Sequence, residues 1–213
     1  VTNPAIDSIR EKYVMSLDTY LGNKTNLVTP AVINGYKLKS PLLTPELFNY
    51  VVSEAAEWKK VAQLELSFDP QQETLELAIE RIVNSASELV SSGVNFLVLS
   101  DRNISANLVV IHAAMLVGAI HNQLIRQQLR NQVDLIVETA TARDPHHFCV
   151  LLGFGASAIY PYFSYHLINE IANQVHSKKT LAQLITNYSA AINKGILKIM
   201  SKMGISTVSS YRG

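Results

Sequence analysis

Side chains suited to acid–base chemistry follow an apolar run in the middle of the chain. Residues 133–137 have the apolar character of a buried parallel strand, and Glu138, Thr139 and Arg143 come soon after it. In parallel α/β folds, ligands collect at the carboxyl ends of the strands, so we expect these side chains at a functional rim, together with Tyr160. A carboxylate near an arginine suits proton transfer. Glu138, Arg143 and Asp144 are the candidates for such an acid–base group. The alternative, a structural ion pair among them that fixes the loop, is the simpler interpretation.

Other reactive side chains do not assemble a site by their spacing. His146 and His147 are adjacent in a predicted helix, where neighbours point about 100° apart, so they do not form the metal site of an i, i+4 pair. Cys149 lies among apolar residues, which is typical of a buried thiol and not of an activated nucleophile. The glycines of residues 153–155 follow a helix and precede a strand, the reverse of the order in a phosphate-binding loop. We therefore predict no catalytic, metal or cofactor site in this chain.

The elements that must position these residues alternate between strands and helices. Hydrophobic periodicity predicts helices at residues 73–92, 106–128, 146–152, 161–175 and 180–203, and strands at 61–68, 96–99, 133–137 and 156–160, with 205–208 as a candidate fifth strand. Such alternation predicts an α/β fold with a parallel sheet of about five strands flanked by helices. Because a closed (β/α) barrel needs eight strands, we expect an incomplete barrel or an open sheet.

The N-terminal part of the chain has a weaker pattern. Residues 6–21 have the periodicity of a helical turn or two at best, and residues 29–39 are predicted to form a loop. Thr44, which is followed by proline, has the pattern of a helix N-cap. We expect residues 1–60 to be an N-terminal arm with helices and residues 61–213 to be the βαβ core, all within a single structural domain.

Composition excludes several classes of protein. The chain of 213 residues is 48% hydrophobic with a formal net charge of +1, which argues against a nucleic-acid-binding surface. Its one cysteine, Cys149, cannot build a disulfide framework, an iron–sulfur site or a zinc knuckle, and a reducing compartment fits best. No apolar run has the length of a membrane span. The missing initiator methionine and the abrupt end at Gly213 lead us to expect a segment of a longer polypeptide.

Several motifs are similar to those of one known family. The longest is LIVETATARDPHHFCVLLGFGASAIYPY at residues 135–162, and the others are NPAIDSIRE at 3–11, MSLDTYLG at 15–22, LKSPLLT at 38–44, LVLSDR at 97–102 and GILKIMSKMGISTVSSYRG at 195–213. Together they resemble the central domain of glutamate synthase, the flavin enzyme that moves the amide nitrogen of glutamine onto 2-oxoglutarate. The chain departs from the family pattern at Ala140, where glycine is usual, and at Asp144-Pro145, where an acidic-apolar pair is common.

The resemblance implies a connecting domain whose chemistry lies elsewhere in the enzyme. Its partners would be the glutamine amidotransferase and FMN-binding synthase domains of the same polypeptide, and its rim would help to form the ammonia passage between them. FMN and an iron–sulfur cluster would belong to the parent enzyme, with no cofactor, nucleic acid or membrane bound by this chain. The compartment would be the cytoplasm, or the plastid stroma in a photosynthetic eukaryote. The candidate rim residues are Glu138, Thr139, Arg143, Ser201, Lys202, Met203, Ser206 and Thr207.

The rim assignment depends on two polar turns that contain small residues, one after Glu138 and one at residues 201–207. Ammonia must be kept from water and protonation, so a passage needs packed walls with few titratable groups. Ordinary loops that close a core have the same composition, so the interpretation of both turns as ordinary loops stays open. The alternative function is an autonomous barrel-like enzyme domain that binds flavin or phosphate at its rim. The absence of phosphate-loop glycines favours the connecting domain.

Overall fold

The chain alternates strands and helices, as its hydrophobic pattern predicts. The computed structural model describes residues 11–22, 34–54 and 56–212. The strands are β1 Thr19–Gly22, β2 Gly35–Leu38, β3 Val61–Glu65, β4 Ser67–Phe68, β5 Phe96–Ser100, β6 Val109–Val110, β7 Asp134–Glu138 and β8 Ala158–Tyr160. The helices are α1 Glu11–Val14, α2 Pro45–Ser53, α3 Leu75–Ser91, α4 Ala113–Arg126, α5 Pro145–Gly153, α6 Tyr162–Gln174 and α7 Leu181–Met203, with short 3-10 helices at Arg130–Gln132 and Val208–Tyr211.

Four strands form one parallel sheet, which is the central layer of the molecule. Its order is β3-β5-β7-β8, and every neighbouring pair is parallel. Helices α3, α4 and α5 lie in the three crossovers between consecutive strands of this sheet. The predicted α/β fold, a parallel sheet flanked by helices, is therefore confirmed. The sheet has half the strands of a closed eight-stranded barrel.

The two faces of the parallel sheet have different covers, because alternate residues of a strand point to opposite sides. Leu97 and Leu99 belong to the core that the sheet forms with α3, α4, α5 and α7. Phe96, Val98 and Ile136 belong to a second core with β1, β2 and α2. We call this second side the inner face, since it corresponds to the inside of a barrel. The inner face is thus filled by the N-terminal segment of the same chain.

Helix ends follow the start and stop signals in the sequence. Four side chains accept hydrogen bonds from N–H groups in the first turns of α2, α3, α5 and α7, namely those of Thr44, Thr74, Asp144 and Thr180. Helix α7 ends at Gly204, whose φ of 70° is the left-handed conformation that glycine adopts readily. The predicted caps at Thr44, Asp144 and Gly204 are confirmed. Among the described residues, no helix has the length and hydropathy that a membrane span requires.

The N-terminal segment differs from its prediction. In the described part of the region expected to be helical, residues 11–21, helix is limited to the single turn of α1, and the chain continues as strand β1. Part of the predicted loop at 29–39 is strand β2, which pairs antiparallel with β1. Residues 6–10 and 29–33 lie outside the described residues. The cause is a period of two residues, since every second side chain from Leu17 to Leu21 is buried.

Two predicted elements are shortened by a small second sheet. The strand predicted at 61–68 is divided at Leu66, because β4 leaves the parallel sheet and pairs antiparallel with β6. The helix predicted at 106–128 starts only after β6. His112 caps it there, since its Nδ1 atom accepts a hydrogen bond from Ala114 N at 3.2 Å. Pairing between two very short strands therefore overrides the helical periodicity of this region.

The candidate fifth strand at residues 205–208 is not part of the parallel sheet. After α7 the chain makes one parallel bridge between Thr207 and Ser16 and then enters a 3-10 helix. The outer edge of β8 is already occupied, because Leu43 N donates a hydrogen bond to Ile159 O at 2.9 Å. The described sheet accordingly has four strands, and the prediction of a fifth is wrong.

A buried cationic network stabilises the amino-terminal end of the sheet. Arg130 is 9% exposed and donates hydrogen bonds to His121 Nδ1, Val133 O and Gly155 O at 2.7 to 2.8 Å. Gly155 has a φ of 114°, and a Cβ atom there would collide with the His121 ring. Burial, followed by the charges of Arg130 and Arg212, lowers the pKa of His121 to about 4. The neutral imidazole is therefore the form that accepts the Arg130 hydrogen bond.

We predict that the free energy of unfolding falls as the pH decreases from 6.5 to 4. In this window the unfolded chain binds a proton at His121 and the folded chain does not, so acid favours the unfolded state. The expected loss from this one group is roughly 2 to 3 kcal/mol. Urea unfolding across this pH range measures it, and His121→Gln should reduce the slope. The exposed His166, changed to Gln, is the control. An equal slope in wild type and His121→Gln would contradict the assignment.

We also predict that Gly155→Ala destabilises the chain more than Gly93→Ala. Both glycines have positive φ, 114° and 96°, so both variants bear the cost of placing alanine in that conformation. Only at Gly155 does the new methyl group also displace the buried His121 ring; at Gly93 it meets only the flexible Lys60 side chain. We expect the difference to be roughly 1 to 3 kcal/mol in urea unfolding. Equal losses would mean that the His121 contact is unimportant.

Candidate functional site

Four residues form a row across the carboxyl-terminal edge of the sheet. Glu65, Ser100, Glu138 and Tyr160 are register partners at the ends of β3, β5, β7 and β8. Register partners on parallel strands project to the same side, which here is the inner face. Ser100, Glu138 and Tyr160 are 0%, 3% and 8% exposed. The sheet thus brings a hydroxyl, a carboxylate and a phenol together at a buried edge.

The Glu138 carboxylate has a partner on each oxygen. Ser100 Oγ donates to Oε2 at 2.7 Å, and Arg102 donates from its guanidinium to Oε1 at 2.9 Å. The Arg102 guanidinium also lies over the Tyr162 ring, 4.7 Å from its centroid. A buried charge is tolerated only when it is paired and hydrogen-bonded, and both conditions are met here. Glu138 is therefore held in one position by Ser100 at the end of β5 and by Arg102 just after it, and Tyr162 of α6 contacts Arg102 in turn.

Asp101 fixes the loop that follows β7. Its side chain, 3% exposed, accepts hydrogen bonds from Thr139 Oγ1 at 2.5 Å and from Ala140 N at 3.0 Å. Thr139 in turn accepts a hydrogen bond from Thr141 N at 3.1 Å. Burial, followed by the charge of Asp101, raises the pKa of Tyr162 to about 12. The carboxyl edge is accordingly a rigid polar network whose two buried carboxylates are both engaged.

The predicted ion pair of Glu138 with Arg143 is wrong, because the partner of Glu138 is Arg102. Arg143 is exposed at the start of α5, where its N–H donates to His147 Nδ1 at 3.3 Å and its carbonyl accepts from Tyr188 Oη at 3.3 Å. Arg102 follows β5, and β5 ends beside β7, so the neighbouring strand supplies the closer cation. Arg102 was missed because only residues of the loop after β7 were considered as partners. The polar sequence after β5, taken with the order of the strands, would have pointed to it.

The second group of candidate rim residues lies at the other end of the sheet. It comprises Ser201, Lys202, Met203, Ser206 and Thr207, of which Ser201 is buried and the other four are exposed. This segment leads into the 3-10 helix whose Tyr211 ring lies beside Gly153, the last residue of α5. Because α5 returns from the carboxyl edge to the amino edge, the segment is near the amino ends of the strands. The structure therefore separates the candidates into a carboxyl-edge group and an amino-end group.

Three histidines line a cavity of about 310 Å³ near the carboxyl edge, together with Thr141. His112 and His147 each accept a backbone hydrogen bond through Nδ1, so both stabilise local turns. Among the described residues, no group of three or more histidine, cysteine or acidic side chains could hold a metal ion. Cys149 is 1% exposed, and burial raises the pKa of its thiol above the usual range. This thiol therefore has the environment of a core residue.

We predict that Asp101→Asn lowers the free energy of unfolding by roughly 2 kcal/mol. Ala140 N lies 3.0 to 3.1 Å from both Asp101 oxygens, so the NH₂ group of an asparagine would replace one acceptor and face this N–H donor. Urea unfolding of the variant measures the loss. The control is Asp18→Asn, since Asp18 is exposed in its ion pair with Lys37 and its change should cost less than about 0.5 kcal/mol. Equal losses in both variants would show that the Asp101 network does not stabilise the edge.

The sequence as a whole matches one described family. The family model "Glutamate synthase central domain" matches residues 1–213. The chain is 41% identical to glutamate synthase [NADH] of Saccharomyces cerevisiae, and this match covers 100% of the chain and 11% of that protein. It is 37% identical to the glutamate synthase [NADPH] large chain of Bacillus subtilis and 36% identical to the ferredoxin-dependent glutamate synthase of Antithamnion sp., covering 14% and 15% of their lengths. The chain therefore spans about a seventh or less of these curated relatives.

Solved structures share its fold at low sequence identity. A flavocytochrome b2 variant with sulfite bound has a TM-score of 0.55 at 12% identity, over 83% of this chain and 39% of that one. A mandelate oxidase variant with 2-hydroxy-phenylacetamide has a TM-score of 0.51 at 13% identity, over 73% of this chain and 38% of that one. These likenesses concern the α/β fold alone. With the family match over its full length and the identities of 36 to 41%, the chain belongs to the glutamate synthase central domain family.

Proposed function

We propose that this chain is the connecting domain of a glutamate synthase, located between the glutamine amidotransferase domain and the FMN-binding synthase domain of one polypeptide. The observation that carries the proposal is the family match over residues 1–213, combined with a span of only 11 to 15% of its relatives. The parent reaction would form glutamate from glutamine and 2-oxoglutarate, in the cytoplasm or in a plastid stroma. The central domain contributes structure to that reaction, and its chemistry takes place in the neighbouring domains.

The proposal extends to the two groups of rim residues. Both groups would face the neighbouring domains and help to form the ammonia passage with them. The carboxyl-edge group comprises Glu138, Thr139 and Arg143, and the amino-end group comprises Ser201, Lys202, Met203, Ser206 and Thr207. Ammonia that meets water takes up a proton and loses the lone pair that attacks carbon. The engagement of both buried carboxylates, Glu138 and Asp101, in hydrogen bonds supports this role, because acceptors that already have donors are less able to capture passing ammonia.

We further propose that residues 1–60 and 61–213 form one structural domain. Two contacts between the parts support this. Gly22 N donates a hydrogen bond to Asp134 Oδ2 at 2.7 Å, and Tyr165 Oη donates to Leu43 O at 3.0 Å. The second core, which β1, β2 and α2 share with the parallel sheet, also crosses this boundary. Separation of the two parts would expose the inner face of the sheet to water.

The residues of this chain do not fit FMN or an iron–sulfur cluster, which we attribute to other parts of the parent enzyme. The Phe48 ring stacks on Tyr160 at the carboxyl end of the inner face, with ring centroids 4.2 Å apart. Buried Asp101 at the same edge would repel a phosphate, and the nearby cation, Arg102, is already paired with Glu138. A single buried cysteine cannot supply the thiolates of a cluster. These observations disfavour the alternative function, an autonomous flavin- or phosphate-binding enzyme domain.

We predict that Arg143→Ala and Lys202→Ala in the full-length enzyme weaken the transfer of ammonia between its domains. Glutamine-dependent glutamate formation should fall by roughly 3- to 10-fold, a loss of about 0.7 to 1.4 kcal/mol, while formation from added ammonia is retained. The physical reason is that an opened rim lets ammonia escape into water. Steady-state rates with each nitrogen source measure the effect, and free ammonia released per glutamine consumed should rise.

The matched control for this prediction is Lys194→Ala. Lys194 is exposed on the same helix as Lys202 but lies outside the amino-end group. Its substitution should leave both rates unchanged. If Arg143→Ala and Lys202→Ala also leave glutamine-dependent synthesis and ammonia release unchanged, the assignment of these residues to the passage fails.

A further inference from the structure

Most of α6, with the start of α7, makes few contacts with the body of the molecule. The buried residues of α6 are confined to its first turn, Ser164 and Tyr165, and the first buried residue of α7 is Ile185. Tyr165 anchors this helix pair through its hydrogen bond to Leu43 O and through an edge-on contact with Tyr188, 5.7 Å between ring centroids. The pair is therefore held at one end, beside the carboxyl edge, and projects from it.

The projecting helices expose several large apolar side chains. Leu167 and Ile171 are spaced four residues apart, so they lie on one side of α6, and Val175 follows the last residue of the helix. These three side chains are 37%, 55% and 66% exposed. Leu181, at the start of α7, is 42% exposed. We call these four residues the apolar stripe. Helix α6 has one formally charged residue, Glu170, among its 13. Two exposed lysines, Lys178 and Lys179, lie in the turn between Val175 and Leu181. Exposed apolar side chains on a helix with one charged residue are typical of an interaction site.

The topology of the sheet explains why the apolar stripe has no cover within the described chain. In a closed barrel, each helix packs between its own strand and the next one. Here α6 follows β8, the last strand of the sheet, and residues 41–43 already occupy the outer edge of β8. No strand follows α6 in the part of the chain that the structure describes. The outward side of α6 can therefore be contacted by residues outside the described part of the chain.

We infer that the apolar stripe is the docking surface for another domain of the same polypeptide, one that presents an apolar surface poor in charge. This inference rests on the proposed function. The relatives are about seven to nine times longer than this chain, so most of the parent polypeptide is available to cover the stripe. The stripe also continues the carboxyl edge, because α6 begins at Tyr162, whose ring lies under Arg102. One neighbouring domain can thus contact both surfaces.

The test compares two cysteine reporters in the full-length glutamate synthase polypeptide. Ile171→Cys lies in the stripe, and Leu77→Cys lies on α3; both wild-type side chains are 55% exposed in this chain. Each reporter is labelled with a maleimide under native conditions and in urea, and its peptide is quantified by mass spectrometry. We expect Ile171→Cys to be protected at least about tenfold more than Leu77→Cys. The expected protection should not change when the enzyme is diluted.

Two results would overturn the inference. Equal protection of the two reporters would mean that nothing covers the stripe preferentially. Protection that disappears on dilution would assign the stripe to a contact between separate polypeptides. The extent of maleimide labelling is measured without any enzymatic reaction, so the result does not depend on ammonia transfer. A protected Ile171→Cys together with unchanged coupling in Arg143→Ala would remove the passage assignment and leave the docking surface in place.

Discussion

The four-stranded parallel sheet needs apolar cover on both faces, and the rest of the structure depends on how the inner face obtains it. Helices α3, α4 and α5 cover one side, as in any βαβ fold. On the inner side, four strands cannot close on themselves, so β1, β2 and α2 replace the missing half of a barrel. The stacking of Phe48 on Tyr160 seals the end at which related folds bind ligands. The same packing that stabilises the domain therefore removes its barrel-like binding site.

Sealing the inner face leaves polar groups at the carboxyl edge that must be satisfied internally. Asp101 and Glu138 are each 3% exposed, and their partners come from the same edge, chiefly Ser100, Arg102 and Thr139. Loss of a partner in such a network leaves a buried carboxylate with fewer hydrogen bonds, so the network favours this one arrangement. In this chain, the two buried carboxylates of the carboxyl edge are therefore held in place by hydrogen bonds from neighbouring elements.

The sequence predicted the features that depend on local signals. The long helices, the caps at Thr44 and Asp144, and the buried strands β5 and β7 could be read from periodicity and capping residues. Features that depend on distant partners could not. Strand β6 exists because β4 lies opposite it, and the partner of Glu138 is Arg102, 36 positions away, because β5 and β7 are neighbours. The outward side of α6 is likewise exposed because the sheet ends at β8. No local sequence pattern encodes where the sheet ends.

The central claim is that the inner face is closed and that the chain serves as a structural domain. Titration of the folded 213-residue chain with FMN tests this claim most directly, with flavin fluorescence and near-ultraviolet circular dichroism as the signals. The account predicts no saturable binding up to roughly 100 µM FMN, since Phe48 and the buried carboxylates occupy the edge that a flavin phosphate would need. Stoichiometric binding with a Kd of roughly 1 µM or below would contradict it, and would make the carboxyl edge a cofactor site.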